Sequence, residues 1–80
     1  MRQIERVAVV GAGTMGAGIA QVFARSGRRV TLIDIVPEQL ARARAGIERR
    51  TSRLVAKGGM SEDERQALLS RVALADSLEA

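Results

Sequence analysis

Cysteine, histidine, tryptophan and tyrosine are all absent from this 80-residue sequence, and proline and phenylalanine occur once each, at Pro37 and Phe23. Each absence closes a class of chemistry. Without cysteine there is no disulfide framework and no thiolate metal site. Without histidine the commonest general base is missing from this stretch. Phe23 alone offers no stacking platform for single-stranded nucleic acid. Long apolar runs are lacking too. The one near the N-terminus is interrupted at Gly11, too early for a signal-peptide core with its cleavage site and far short of a membrane span. The expectation is therefore a soluble, cytoplasmic protein with no membrane partner. A chain of this length holds one small domain and buries about 60–65% of its unfolded surface. Leu, Ile, Val and Ala must supply the core.

What is present is organised around Val7-Ala-Val-Val-Gly-Ala-Gly-Thr-Met-Gly-Ala-Gly-Ile-Ala-Gln-Val-Phe23. A short apolar run stops at Gly11, and Gly11, Gly13 and Gly16 follow the spacing G-x-G-x-x-G. Gly11 allows a sharp turn out of a strand, Gly13 leaves room for a diphosphate to approach the main chain, and Gly16 lets the next helix lie close on the strand. The free N–H groups of that helix's first turn, near Thr14 and Met15, face the same space, where the helix dipole adds positive charge. A glycine pattern alone says little. Here a strand precedes it, a helix follows it, and an acidic residue, Asp34, closes the next strand, Val30-Thr-Leu-Ile-Asp34, near the spacing of a ribose-binding carboxylate.

Asp34 also bears on cofactor choice. A carboxylate accepts both ribose hydroxyl protons and repels a 2′-phosphate, and its neighbours Ile35 and Val36 bring no cation, so NAD is favoured over NADP. FAD proteins share the glycine pattern and remain an alternative at this point.

The rest of the chain reads as alternating strand and helix. Arg6–Val10 is apolar without alternation, as in a strand buried on both faces of a parallel sheet. A helix is predicted from Thr14 to Ser26, with Met15, Ile19, Val22 and Phe23 as its buried stripe, Gly27 as its C-terminal cap and Gly18 accommodating close packing. Strand two covers Arg29 to Asp34. Pro37 opens a long helix to Lys57 with Leu40, Ala43, Ile47, Thr51, Leu54 and Val55 on one face, and Gly58-Gly59 stops it. Ser61-Glu-Asp-Glu64 is a capping box for a further helix that buries Leu68 and Leu69. Arg71–Ala75 reads as strand three and Asp76–Ala80 as the start of another helix. The fold class is α/β: the N-terminal half of a Rossmann-type parallel sheet, strand order 3-2-1, with a helical hairpin inserted between strands two and three. Strand one, central in such a sheet, is left as an open edge, so residues 1–80 are expected to be a truncated domain.

The glycine loop with Thr14-Met15 inside it, the Gly18-Ile-Ala20 that follows, Val-Thr-Leu-Ile-Asp34 and the long helix ending Leu54-Val-Ala-Lys-Gly58 together resemble the N-terminus of 3-hydroxyacyl-CoA dehydrogenases. The resemblance implies an NAD-dependent oxidoreductase that oxidises the 3-hydroxyl of an acyl-CoA, in fatty-acid or related metabolism. It implies a homodimer in the complete protein, with the catalytic residues and a helical C-terminal domain beyond Ala80. Gly11, Ala12, Gly13, Thr14, Met15, Gly16, Asp34 and Ile35 match the cofactor-binding positions. Lys57 matches a basic position that approaches CoA, and Arg50 stands where relatives often carry serine. A sugar-acid or other hydroxy-acid dehydrogenase of the same superfamily, or a non-catalytic NAD-binding module, are the alternatives.

The net charge of +4 is concentrated between Pro37 and Lys57, where Arg42, Arg44, Arg49, Arg50, Arg53 and Lys57 face only Glu38 and Glu48. Arg42, Arg49 and Arg53 share one helix face. That face reads either as a solvated exterior or as an attractor for the phosphates of CoA. No reading motif accompanies it, so nucleic acid is not expected as a partner.

Overall fold

A computed structural model describes residues 6–76. Three parallel strands, β1 (Arg6–Val10), β2 (Arg29–Ile33) and β3 (Val72–Ala75), lie in the order β1-β2-β3. Helix α1 (Thr14–Arg25) connects the first two, and α2 (Pro37–Ala56) with α3 (Glu62–Ser70) connects the second pair. These are the strand order and the inserted helical pair expected from the sequence. The helix expected at the C-terminus lies outside the described residues, which end at Asp76.

Register explains the core. Val7 pairs with Val30 and Val9 with Leu32, while Val30 pairs with Val72. Side chains alternate between the faces of a strand, so these residues form one apolar face, and Val9, Val30, Leu32 and Val72 are buried there with Ala17, Ala20, Ala24, Ile47 and Leu68. The opposite face differs from the expectation of a strand covered on both sides. Ala8 and Ala73 are exposed, and Val10 stands 69% exposed, because no described helix covers that face.

Helix α1 departs from the sequence reading in a second way. Its buried residues are Ala17, Ala20 and Ala24, while Met15, Ile19 and Val22 point outward, Met15 80% and Val22 69% exposed. The cause is Gly16. A Cβ there would run into the Gly11 carbonyl oxygen and stand 3.6 Å from Val9 Cγ1. The helix lies so close to the strand that only alanine fits in between. Gly18 has no such duty: a Cβ there would meet nothing within 4 Å, so the close packing expected of it is not seen among the described residues.

The helix ends carry their own reasons. Gly27, at φ +101°, follows α1, with its N–H donating to the Ala24 carbonyl at 3.1 Å and the Arg28 N–H donating to the Phe23 carbonyl at 3.1 Å, a Schellman closure. At α3 the capping box is complete: Glu64 N–H donates to Ser61 Oγ at 3.0 Å and Ser61 N–H donates to Glu64 Oε1 at 2.9 Å. Thr51, fully buried on α2, accepts from Arg65 Nε at 3.1 Å and so ties α2 to α3.

Candidate functional site

The site is assembled where β1 and β2 end side by side. Gly11, at φ +95°, takes the chain out of β1 while its N–H still donates to the Ile33 carbonyl at 2.7 Å. That bond fixes the start of the loop against the end of β2, where Asp34 follows. One residue later the Ala12 N–H donates to Asp34 Oδ2 at 2.9 Å, and Asp34 Oδ1 accepts from the Val36 N–H at 2.9 Å. The bond from Ala12, then that from Val36, holds the Asp34 carboxyl below the usual aspartate range, against a small opposing effect of burial. A carboxylate oxygen has room for further donors, so an ionised acceptor remains available beside the loop.

The first turn of α1 faces the same space. Its first internal bond runs from Ala17 N–H to the Gly13 carbonyl at 2.9 Å, no side chain caps the helix, and no acidic residue lies in its first turn. The amides of Thr14, Met15 and Gly16 are therefore left to whatever approaches, with the positive end of the helix dipole behind them. Gly13 has ordinary backbone angles, and a Cβ on it would meet nothing within 4 Å. Its missing side chain leaves open space, where that of Gly16 avoids a collision. Ile35, 84% exposed, stands beside Asp34 as an apolar wall. Chemically the arrangement suits a diphosphate on the helix terminus with a ribose diol at Asp34. The glycine-loop residues and Asp34 are thus brought together.

Lys57 and Arg50 lie elsewhere, along α2. Lys57 is the C-cap of that helix, and with Arg50, Gln21, Arg53 and Leu54 it lines a small cleft of about 270 Å³. Arg50 reaches across to α1, its Nε donating to Gln21 Oε1 at 2.8 Å. A second, larger cleft of about 590 Å³ runs between Gly13, Thr14 and Ala17 of α1 and Arg42, Gly46 and Arg49 of α2, and Arg50 borders this one too. Gln21 and Gly46 were not singled out from sequence. The signal for Gly46 was there: a buried glycine in the middle of a helix costs about 1 kcal/mol relative to alanine. Among the described residues no group of acidic side chains could hold a metal ion, and no helix is long and apolar enough to cross a membrane.

Comparison with known proteins agrees with this geometry. The family described as 3-hydroxyacyl-CoA dehydrogenase, NAD binding domain, matches residues 6–80. The 3-hydroxyadipyl-CoA dehydrogenase of Escherichia coli K12 is 43% identical over 72 residues, which is 90% of this chain and 15% of that protein. A probable 3-hydroxybutyryl-CoA dehydrogenase of Bacillus subtilis is 32% identical over 77 residues, covering 96% of this chain and 27% of the relative. The crystal structure of a 3-hydroxybutyryl-CoA dehydrogenase from E. coli K12 superposes with a TM-score of 0.92 at 39% identity, over 96% of this chain and 16% of that one. The chain thus spans about 15–27% of the length of these relatives. With an α/β core of the same topology and the glycine loop in place, the chain belongs to the family of NAD-binding domains of 3-hydroxyacyl-CoA dehydrogenases.

Proposed function

We propose that Gly11, Ala12, Gly13, Thr14, Met15 and Gly16 hold the diphosphate of NAD, that Asp34 accepts the adenosine ribose hydroxyls, and that Ile35 flanks the adenosine. The observation that carries this reading is the bond from Ala12 N–H to Asp34 Oδ2, which sets the carboxylate at the edge of an uncapped helix terminus. The fit supports it: open space at Gly13, free amides at the start of α1, and no cation beside Asp34 to neutralise a 2′-phosphate.

In the same proposal the complete protein oxidises the 3-hydroxyl of an acyl-CoA to a 3-ketone, NAD accepting the hydride. This chain orients the cofactor and shields its diphosphate. It has no histidine, so the base that takes the hydroxyl proton is placed outside it. Arg50 and Lys57 face the CoA portion. The cytoplasmic location and the homodimer belong to this proposal as well, and fractionation and a sizing column test them. The decisive experiment titrates NAD and NADP into the protein at its full natural length and assays 3-hydroxyacyl-CoA against free 3-hydroxy acids. Tight NAD binding with turnover only of the thioester is expected. Turnover of free hydroxy acids alone would transfer the protein to the sugar-acid or hydroxy-acid alternative, and NAD binding with no turnover to a non-catalytic module.

A further inference from the structure

Helix α2 keeps a charged outer face, with Arg42, Arg49 and Arg53 exposed to solvent. Helix α1 does not. Ala17, Ala20 and Ala24 are buried toward the sheet, while Met15, Ile19 and Val22 are 80%, 41% and 69% exposed. At about 100° per residue these three lie within roughly 60° of one another, on the side opposite the alanines. A helix that is apolar on both sides is built to be covered on both.

The relief of this outer face is that of a helix-packing surface. Met15, Ile19 and Phe23, spaced four residues apart, form a ridge. Beside it runs the row Thr14, Gly18 and Val22, which drops to bare backbone at Gly18. The six residues line a cleft of about 430 Å³ with no charged side chain. Gly18 is the telling position. A glycine inside a helix costs stability relative to alanine. Gly16, on the same helix, has its reason in the Gly11 carbonyl, whereas a Cβ on Gly18 would meet nothing within 4 Å among the described residues. The missing side chain is explained if another segment comes close to the backbone there.

We propose that the outer face of α1 is the seat of a second helix of the same polypeptide, from the part of the natural protein outside residues 1–80. It packs ridge into groove, with its closest approach at Gly18. A wholly apolar face suits a permanent contact rather than a transient one. The relatives named above have the length to supply such a helix, since this chain spans 15–27% of them. Thr14 lines both this cleft and the groove at the glycine loop. The seat and the diphosphate cradle thus share the first turn of α1, and helix docking and NAD binding favour each other. That linkage rests on the cofactor reading above; the seat itself does not.

The test is hydroxyl-radical footprinting of the protein at its full natural length. It is read at Val22, about two turns from the glycine loop and so clear of bound cofactor. Relative to the urea-unfolded protein, Val22 should be protected as fully as Val30, which is 1% exposed. Labelling of Val22 clearly faster than of Val30 overturns the proposal. Protection that fades on dilution gives the face to a second copy and overturns it as well. Substitution at Gly18 separates the cases by sign. On a bare face Gly18→Ala and Gly18→Leu gain helix propensity and raise the melting temperature. Under a seated helix both lower it, leucine more than alanine, and Val22 labelling rises in step. A higher melting temperature in both variants overturns the proposal; if Gly18→Leu does not fold, Gly18→Ala and the parent footprint decide. NAD affinity should fall by about fivefold or more in folded Gly18→Leu, the lower end of coupling between sites. An unchanged affinity overturns the linkage. If NAD does not bind the parent, the cofactor reading fails, and Val22 labelling still decides the seat.

Discussion

Asp34 and Ala12, 22 residues apart, are joined by a single hydrogen bond of 2.9 Å from the Ala12 amide to Asp34 Oδ2. The carboxylate proposed to read the ribose is thus also a strut of the glycine loop. Asp34→Ala should lower NAD affinity by about ten- to a hundredfold, the range for a hydrogen bond to a charged group. Adding Ile35→Arg at an exposed position should move the NAD-to-NADP ratio toward NADP while absolute affinity for both stays below that of the parent. Titration of both cofactors into the single and double variants checks this, and an unchanged ratio removes Asp34 from the site.

The same bond gives a pH dependence of known sign. The folded-state pKa of Asp34 lies below its unfolded value because backbone amides favour the charged form. Its contribution is therefore complete above the unfolded aspartate pKa of about 3.9 and is lost as pH falls through the lower folded value. The stability difference between the parent and Asp34→Asn should be flat from neutral pH down to about 5 and shrink only in stronger acid. Urea unfolding across that range measures it. A difference that already fades near pH 6 would contradict the assignment.

Gly16 and Gly13 should separate folding from binding. Gly16→Ala places a methyl against the Gly11 carbonyl, backbone that cannot step aside, and should cost about 3 kcal/mol. Gly13→Val meets no protein atom within 4 Å, so the fold should survive with NAD binding lost. Circular dichroism and calorimetry on the two variants give opposite patterns. Normal NAD binding by folded Gly13→Val would reduce the loop to a turn.

Ser61→Ala removes the acceptor for the Glu64 amide at the start of α3 and should destabilise by about 1 kcal/mol. Because α3 lies away from the glycine loop, NAD affinity should not change. Thermal unfolding with and without NAD tests both statements.

The 80-residue chain by itself should associate in solution. Val10 on β1, the edge strand of the described sheet, and Met15 and Val22 on the outer side of α1 are exposed apolar side chains. An unpaired apolar strand edge recruits other chains. Met15→Lys with Val22→Lys should shift the elution of this chain toward the monomer without loss of helix, as neither residue is buried.

These last residues show where sequence reading stops. The strands, the capping box and the glycine loop were legible because each is set by neighbours within a few positions. The 3.6-residue period marks α1 as amphipathic but does not say which of two stripes meets the sheet. Met15, Ile19 and Val22 are the more apolar choice, yet the narrow gap under Gly16 admits only Ala17, Ala20 and Ala24. That gap is a property of two elements together. The Ala12–Asp34 bond is of the same kind, since it exists only once Gly11 has paired with Ile33. The family resemblance makes Arg50 a substrate contact by analogy alone. Its placement by Gln21 and Gly46 required two helices to be packed first.

The contrast between the two helix starts carries a consequence for order in time. Helix α3 settles its first turn internally, with a complete capping box and three acids, Glu62, Asp63 and Glu64. Helix α1 has neither cap nor acid, and its leading amides wait for an outside acceptor. The unliganded domain should therefore fray first at Thr14–Gly16, and amide exchange there should slow on cofactor binding while α3 exchanges as before. A ligand at a hundred times its dissociation constant adds about 2.7 kcal/mol to the folded state. That gain should register at the start of α1, which has neither a side-chain cap nor an acidic residue in its first turn.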